Sequence, residues 1–362
     1  MPLSKIQDIG NQVIPNLGSD RNMLINGKFD VSQRNGTAAV TVTDTNSAYP
    51  IDRWTMYNNS GGNMIMQQVT DVPSGEGFTH SAKVSVSSVG NTSSSDHALH
   101  IEQKIEVGNM RHLGWGTSSP KTCTLSFYVK SSVTGTYAIH FGNDVDRFYV
   151  SSYTINSADT WEKKTITLTG ATDGNWNTTT NARGLEIVWS LLAGSAFTTS
   201  SLNQWISTED FHGASHVQWA TNSGATWFLA GCQFEIGENP TEFEHEPFER
   251  TLDKCRRYAY VMGGDGIYER FAVGHVESST QARCLTFYPT TMRAVPTTSK
   301  TDPLIVGGNF SPQSITSISV DYNSKTVGHV QYNVSSGLDT GEACAVIANN
   351  NANARLTFDA EL

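Results

Sequence analysis

Apolar and polar residues alternate over most of the chain. The clearest run is Cys123–Lys130, where Cys123, Leu125, Phe127 and Val129 alternate with Thr124, Ser126, Tyr128 and Lys130. A period of two sends one set to a buried face and the other to water, as in an antiparallel strand. After the loop Ser131–Gly135, Tyr137, Ile139 and Phe141 resume the alternation, which predicts a hairpin. Leu185, Ile187, Trp189 and Leu191 predict a further strand. Phe228, Ala230, Cys232, Phe234 and Ile236 predict another, with Gln233 and Glu235 on its opposite face. Phe148–Ile155 and Thr165–Thr169 add two more. Many short strands separated by turns predict an antiparallel, jelly-roll-like β-sandwich over residues 21–245.

The two ends depart from this texture. In residues 1–20, Ser4 and Gln7 have capping-box spacing, and Ile6, Ile9 and Val13 share a helical face that Pro15 terminates. So short a helix needs a partner, which makes this segment a candidate attachment arm. After Pro240 and Pro247, Leu252, Cys255, Ala259 and Met262 fall at helical spacing. They predict a connecting helix over 246–264, stopped by Gly263-Gly264. Residues 265–362 return to period two at Leu285/Phe287, Ile318/Val320/Tyr322, Val330/Tyr332/Val334 and Leu356/Phe358/Ala360. The expected fold class is therefore mainly all-β: a sandwich, a short helix, and a second, smaller β domain.

Composition narrows the function. Only 16% of the 362 residues are charged, 10% are aromatic, and the formal net charge is −10. The densest cationic pair is Arg256-Arg257, too little to neutralise a phosphate backbone or an anionic membrane. No nucleic acid is expected as a partner. Residues 1–20 lack the apolar core of a secretory signal, and no apolar run reaches membrane-spanning length, so neither secretion by that route nor membrane insertion is expected. The five cysteines are widely spaced, with no CxxC pair, which argues against a disulfide framework or a zinc knuckle. Cys123 and Cys232 read as small core hydrophobes, folded in a reducing cytoplasm.

Catalytic constellations are sparse. Asp144/Asp146 and Glu244/Glu246 are close pairs, but neither establishes the two-carboxylate cleft of a glycosidase, and solvated loop charges explain both. His212 and His216 have i, i+4 spacing, which suits a metal only on a helix, and Phe211-His212-Gly213-Ala214-Ser215-His216 is not helical in character. Among eight tryptophans, Trp54, Trp189 and Trp227 lie in apolar strands and read as core. Trp115, Trp176 and Trp205 lie among Gly, Asn and Gln. An exposed indole there can stack on the apolar face of a sugar, or it can fold back onto its own domain.

Two phrases carry a resemblance. Asn22-Met23-Leu24-Ile25-Asn26-Gly27-Lys28-Phe29-Asp30, followed by Tyr49-Pro50-Ile51-Asp52-Arg53-Trp54, resembles the opening of carbohydrate-binding-module-like jelly rolls in phage tail fibres and receptor-binding proteins. Gly231-Cys232-Gln233-Phe234-Glu235-Ile236-Gly237, with Pro240-Thr241-Glu242-Phe243-Glu244-His245, is similar to the closing strand of that domain. The run Cys255-Arg256-Arg257-Tyr258-Ala259-Tyr260 resembles the helix that follows it, and Asn349–Leu362 also fits. The resemblance implies a virion component assembled in the host cytoplasm, homotrimeric and non-enzymatic, whose jelly roll contacts host surface glycans. Trp115, Trp176 and Trp205 are then the glycan-contact candidates. Residues 265–362 become a trimerisation domain or tip, and residues 1–20 the contact with other tail or capsid proteins. A purely structural capsid-decoration or tail-adaptor protein and a capsule depolymerase are the alternatives. No cofactor is expected. The family often carries a structural calcium, for which Asp30 and Glu235 are the candidate ligands, but Lys28 stands where an acidic residue is common.

Overall fold

The computed structural model describes residues 20–308 and 312–362; the expected attachment segment of residues 1–20, apart from Asp20, lies outside the described residues. The chain is mainly β, and its large sheets are antiparallel. Two sheets form a jelly-roll-like sandwich, which a short helix joins to a second, smaller β unit.

In spatial order, the six-stranded sheet contains Val40–Val42, Asn63–Val69, Ser81–Ser88, Thr226–Ile236, Thr122–Ser131 and Glu162–Thr169. The seven-stranded sheet contains Trp205–Ile206, Phe148–Ile155, Gly135–Gly142, Arg183–Ala193, Ala98–Glu106, Trp54–Asn59 and Asn46–Ile51. Their facing sides interdigitate around Trp54, Phe127, Trp189, Trp227 and Phe234, all fully buried with Cys123 and Cys232.

One strand departs from simple alternation. A bulge lies between Ala230 and Gln233, where Gly231 adopts φ +56°. The extra residue reverses the phase. Trp227, Leu229, Cys232 and Phe234 enter the main core, whereas Ala230 joins a satellite cluster with Phe78 and Tyr128. The expected single face from Phe228 to Ile236 is thus split at Gly231, because period-two counting does not register an inserted residue.

The phrases that open and close the sandwich meet in space. Asn22 Nδ2 donates to Cys232 O (2.9 Å), its Oδ1 accepts from Phe234 N (3.0 Å), and Cys232 N donates to Gly27 O (2.8 Å). Glu244 accepts from the amides of Asp20 (3.0 Å) and Asn22 (2.8 Å). Gln233 Oε1 takes the Glu244 amide (2.8 Å). Trp54 Nε1 donates to Asn26 O (3.0 Å). These side chains satisfy backbone groups that no sheet partner reaches.

The connecting helix is shorter than expected. It occupies Phe248–Arg256, and Ala259–Met262 is a strand. That strand pairs with Arg355–Asp359, which also pairs with Thr297–Thr301. Tertiary pairing overrides the helical spacing of Ala259 and Met262, and Gly263-Gly264 follows a strand rather than stopping a helix. Beyond it, Arg270–Ser278, Gln281–Phe287, Val327–Val334, Gln313–Val320, Leu304–Gly307 and Ala343–Ala348 close into a six-stranded barrel. Val276, Cys284, Val330, Tyr332 and Val346 fill it.

Candidate functional site

The three loop tryptophans come together. Ring centroids lie 5.6 Å apart for Trp115–Trp176, 5.5 Å for Trp115–Trp205 and 6.0 Å for Trp176–Trp205, all edge to face. Each arrives from a different place. Trp115 follows the short helical turn Arg111–Leu113, which Gly114 ends in the left-handed region. Trp176 sits in the loop between Glu162–Thr169 and Arg183–Ala193, and Trp205 is on the edge strand paired with Tyr149. Each indole N–H is already spent on a backbone carbonyl: Trp115 on Lys121 (2.8 Å), Trp176 on Asp173 (3.0 Å), Trp205 on Thr169 (2.9 Å). A ligand would therefore meet ring surface rather than a free donor.

The trio is not three equal platforms. Trp176 and Trp205 are half-buried, but Trp115 is only 6% exposed and belongs to the core. The expectation of an exposed indole at Trp115 is corrected: its ring is seated over Gly170, where a Cβ would fall 2.0 Å from Trp115 Cδ1. Trp115 supports the other two.

Clefts flank the pair. One of about 490 Å³ is lined by Met110, Arg111, Thr117, Trp176 and Asn177, with an edge of Trp115 at its wall. Another of about 470 Å³ is lined by Arg147, Asp173, Trp205, Ser207 and Thr208. Trp176 and Trp205 thus stand as a ridge between an apolar-walled cleft with one guanidinium and a polar one. The neighbouring carboxylates hold the loops. The Asn175 amide donates to Asp146 Oδ1 (3.0 Å) and Asn175 Nδ2 to Oδ2 (2.6 Å), which pulls the Asp146 pKa down despite slight desolvation. Asp173 pairs with Arg147 Nε (2.7 Å), an interaction that lowers its pKa and raises that of Arg147. Asp144 pairs with Arg183. The lining polar groups escaped sequence reasoning because they lie far apart in the chain, and only the indoles signalled the place.

The other candidates are structural. Glu244 caps the opening segment, and Glu246 pairs with Lys254. His212 Nδ1 is 3.0 Å from Ser190 Oγ, and His216 Nδ1 accepts the Gly213 amide (3.1 Å). Asp30 is 2.8 Å from Lys28 Nζ, which also donates to Glu246 O (3.0 Å). Burial would raise the Asp30 pKa, but bonds from Lys28, Thr79 and His80 outweigh it and lower it. Glu235 is 3.3 Å from Arg21 Nε and accepts from Thr241. Each carboxylate has its own protein cation, and no contact brings the two together; among the described residues no three His, Cys, Asp or Glu side chains gather as a metal site.

A second polar group, missed from sequence, occupies the outer face of the seven-stranded sheet. His100, Glu102, His140 and Glu186 are all buried there, under Phe211 and its neighbours. Lys104 Nζ pairs with Glu102 (3.0 Å) and Arg183 Nη1 with Glu186 (2.6 Å).

No family model matches the chain, and no curated protein matches it. Among solved structures, the enzymatically active domain of tailspike protein 4 from bacteriophage CBA120 aligns at 15% identity and TM-score 0.34, over 60% of this chain and 22% of that one. A family 4 carbohydrate-binding module aligns at 17% identity and TM-score 0.31, over 59% of this chain and 98% of that one. A family 61 module in complex with β-1,4-galactotriose aligns at 10% identity and TM-score 0.30, over 60% and 99%. This chain therefore spans less than a quarter of the tailspike structure and nearly all of each module.

Proposed function

We propose that this chain is a phage tail fibre or receptor-binding subunit that binds a host surface glycan without catalysis. One observation carries the binding: the Trp176–Trp205 ridge, with a cleft on each side and Arg, Asn, Ser and Thr groups within the clefts. Pyranose rings present an axial C–H face to an indole and a rim of hydroxyls to such polar groups. The carboxylates beside the ridge, Asp146 and Asp173, are held by Asn175 and Arg147, which suits a binding surface rather than an acid–base pair.

Self-association would present several weak sites at once and raise avidity. The barrel offers a surface for it. Val273 (67% exposed) pairs in register with Leu285 (46%), and Phe287 (72%) and Tyr322 (74%) are also exposed on the barrel unit. A closed barrel has no free edge, so another copy would pack on these side chains.

Binding of the full chain to host polysaccharide, read by calorimetry, tests the proposal. Trp176→Ala and Trp205→Ala are each expected to weaken it about tenfold, the loss of one stacking contact. Unchanged affinity in both would overturn the site. A chain that ignores host cells but binds fibre-less virions would instead be an adaptor. Release of reducing ends would make it a depolymerase. Light scattering is expected to give a trimer that Phe287→Glu dissociates.

A further inference from the structure

The barrel interior holds two thiols that no part of the proposed function uses. Cys284 and Cys344 are buried, with Sγ atoms 3.7 Å apart. They lie on different strands, Gln281–Phe287 and Ala343–Ala348, and both flank Arg270–Ser278 at the same point: Gly274 pairs with Cys284 on one side and with Cys344 on the other. Residues paired in register share a face, so Cys284, Gly274 and Cys344 form one inward-facing row. The central position has no side chain, and a Cβ there would fall 1.8 Å from Arg283 O. With no side chain between them, the two thiols meet above the Gly274 backbone.

We propose that Cys284 and Cys344 form a modification site: a dithiol that a small-molecule disulfide converts to an intramolecular cross-link across the barrel. The roles differ. Cys344 borders a cleft of about 620 Å³ beside Arg270, Gly307 and Glu342, whereas Cys284 is 1% exposed. The two thiols share one sulfur–sulfur contact, and this pairing lowers the Cys344 pKa and raises that of Cys284. The Cys344 thiolate attacks one sulfur of the reagent disulfide, expelling one thiolate and leaving a mixed disulfide. Cys284, giving up its proton, attacks Cys344 Sγ and expels the second half of the reagent as thiolate. Two protein thiols are oxidised, one reagent disulfide is reduced to two thiols, and no other oxidant is needed. The sulfurs must close from 3.7 Å to a bond of about 2.0 Å, so the two outer strands must draw together over Gly274, where no side chain stands between them. The link ties together strands separated by a third strand and encloses a long loop, so it stabilises the barrel against unfolding.

The experiment uses the full chain, incubated under native conditions with oxidised glutathione, followed by intact mass and peptide mapping. The expected product has lost two hydrogens, carries one Cys284–Cys344 peptide link, and keeps Cys123, Cys232 and Cys255 free. Its melting temperature rises by several degrees and returns on reduction. Cys284→Ser is expected to stop at a stable glutathione adduct on Cys344. The map of the unaltered protein decides even where a variant fails to fold. A glutathione adduct without the internal link, or native thiols that stay unreactive while the denatured chain reacts at all five, would overturn the proposal.

Discussion

Gly170 controls the ridge without belonging to it. Its backbone is the floor under Trp115, and Trp115 in turn carries the edges of Trp176 and Trp205. A methyl at position 170 must displace the indole. Gly170→Ala is therefore expected to cost about 1–3 kcal/mol of stability, seen in urea unfolding, and to weaken the proposed glycan binding more than its distance from the clefts suggests. A variant with native stability and native affinity would show that Trp115 has room to move. Lys28 poses a parallel case. Its ammonium joins the Asp30 carboxylate to the Glu246 carbonyl at a place where a divalent cation could join oxygen groups. EDTA is expected to leave the melting temperature unchanged, while Lys28→Met, which takes the ammonium from Asp30 and leaves it only Thr79 and His80, is expected to lower stability by about 1–3 kcal/mol. A fall in melting temperature with EDTA that calcium reverses would contradict this.

At the scale of elements, alternation made the strands legible but not what covers them. In the strand Ala98–Glu106, His100, Glu102 and Lys104 alternate with the core residues Leu99 and Ile101 and take the side away from the core. In the fold, the segment 194–217 lies over that face, with Phe211 against His100 (5.2 Å) and His140 (4.8 Å). Periodicity reports which side a residue takes, and a covering loop leaves no periodic trace. The same holds for Trp115: its Gly-rich neighbourhood marked a loop, but the partner that buries it lies far along the chain. The covered face has a titration signature. Burial pushes the His100 pKa down to about 3, and burial with the nearby His216 pushes His212 down to about 4. Both imidazoles are neutral in the fold, whereas in the unfolded chain they titrate near 6.5. The unfolded state therefore binds more protons below that pH, and stability present above about pH 6.5 falls as pH drops toward 4. Glu102, raised by burial and by Glu186, works in the opposite sense. Glu186, which burial would raise but His140 and Arg183 hold down to about 2, adds its own loss only at lower pH. The urea midpoint is expected to fall between pH 7 and 5.5, and more gently in His212→Asn. Equal midpoints at both pH values would mean that Phe211 and its neighbours do not seal the face.

For the whole molecule, the phrases that carry the sequence resemblance turn out to be joints. Arg53 stacks on Tyr258 at 3.5 Å, pairs with Glu361 and donates to Lys104 O (2.6 Å). Glu361 also meets Arg34 (3.2 Å), which reaches Asp359 (2.9 Å). Glu106 takes Arg257 (2.8 Å) and the Tyr258 hydroxyl (2.5 Å). Gln33 bridges Asp52 (2.5 Å) and Ala259 O (2.8 Å). Residues from the opening phrase, the segment after the helix and the last strand thus share one buried polar network between sandwich and barrel unit. Asp52, Arg53, Tyr258 and Glu361 were each legible in these phrases, but their meeting was not, because the partners lie far apart along the chain. Burial drives the Asp52 pKa up to about 6, with Arg34 pulling against it, so the network is tightly balanced. Removing Arg53 leaves the buried Glu361 with Arg34 as its cation and uncovers the Tyr258 ring, a loss of about 3 kcal/mol, the low end for a broken buried pair. The unaltered chain is expected to melt in a single calorimetric transition, because neither unit can leave the network without exposing charges in the other. Arg53→Ala is expected to lower and split that transition. Arg53→Lys keeps the charge but loses planar stacking on Tyr258, so it should fall between the two. Two transitions in the unaltered chain, or one undisturbed transition in Arg53→Ala, would show that the sandwich and the barrel unit fold independently of this joint.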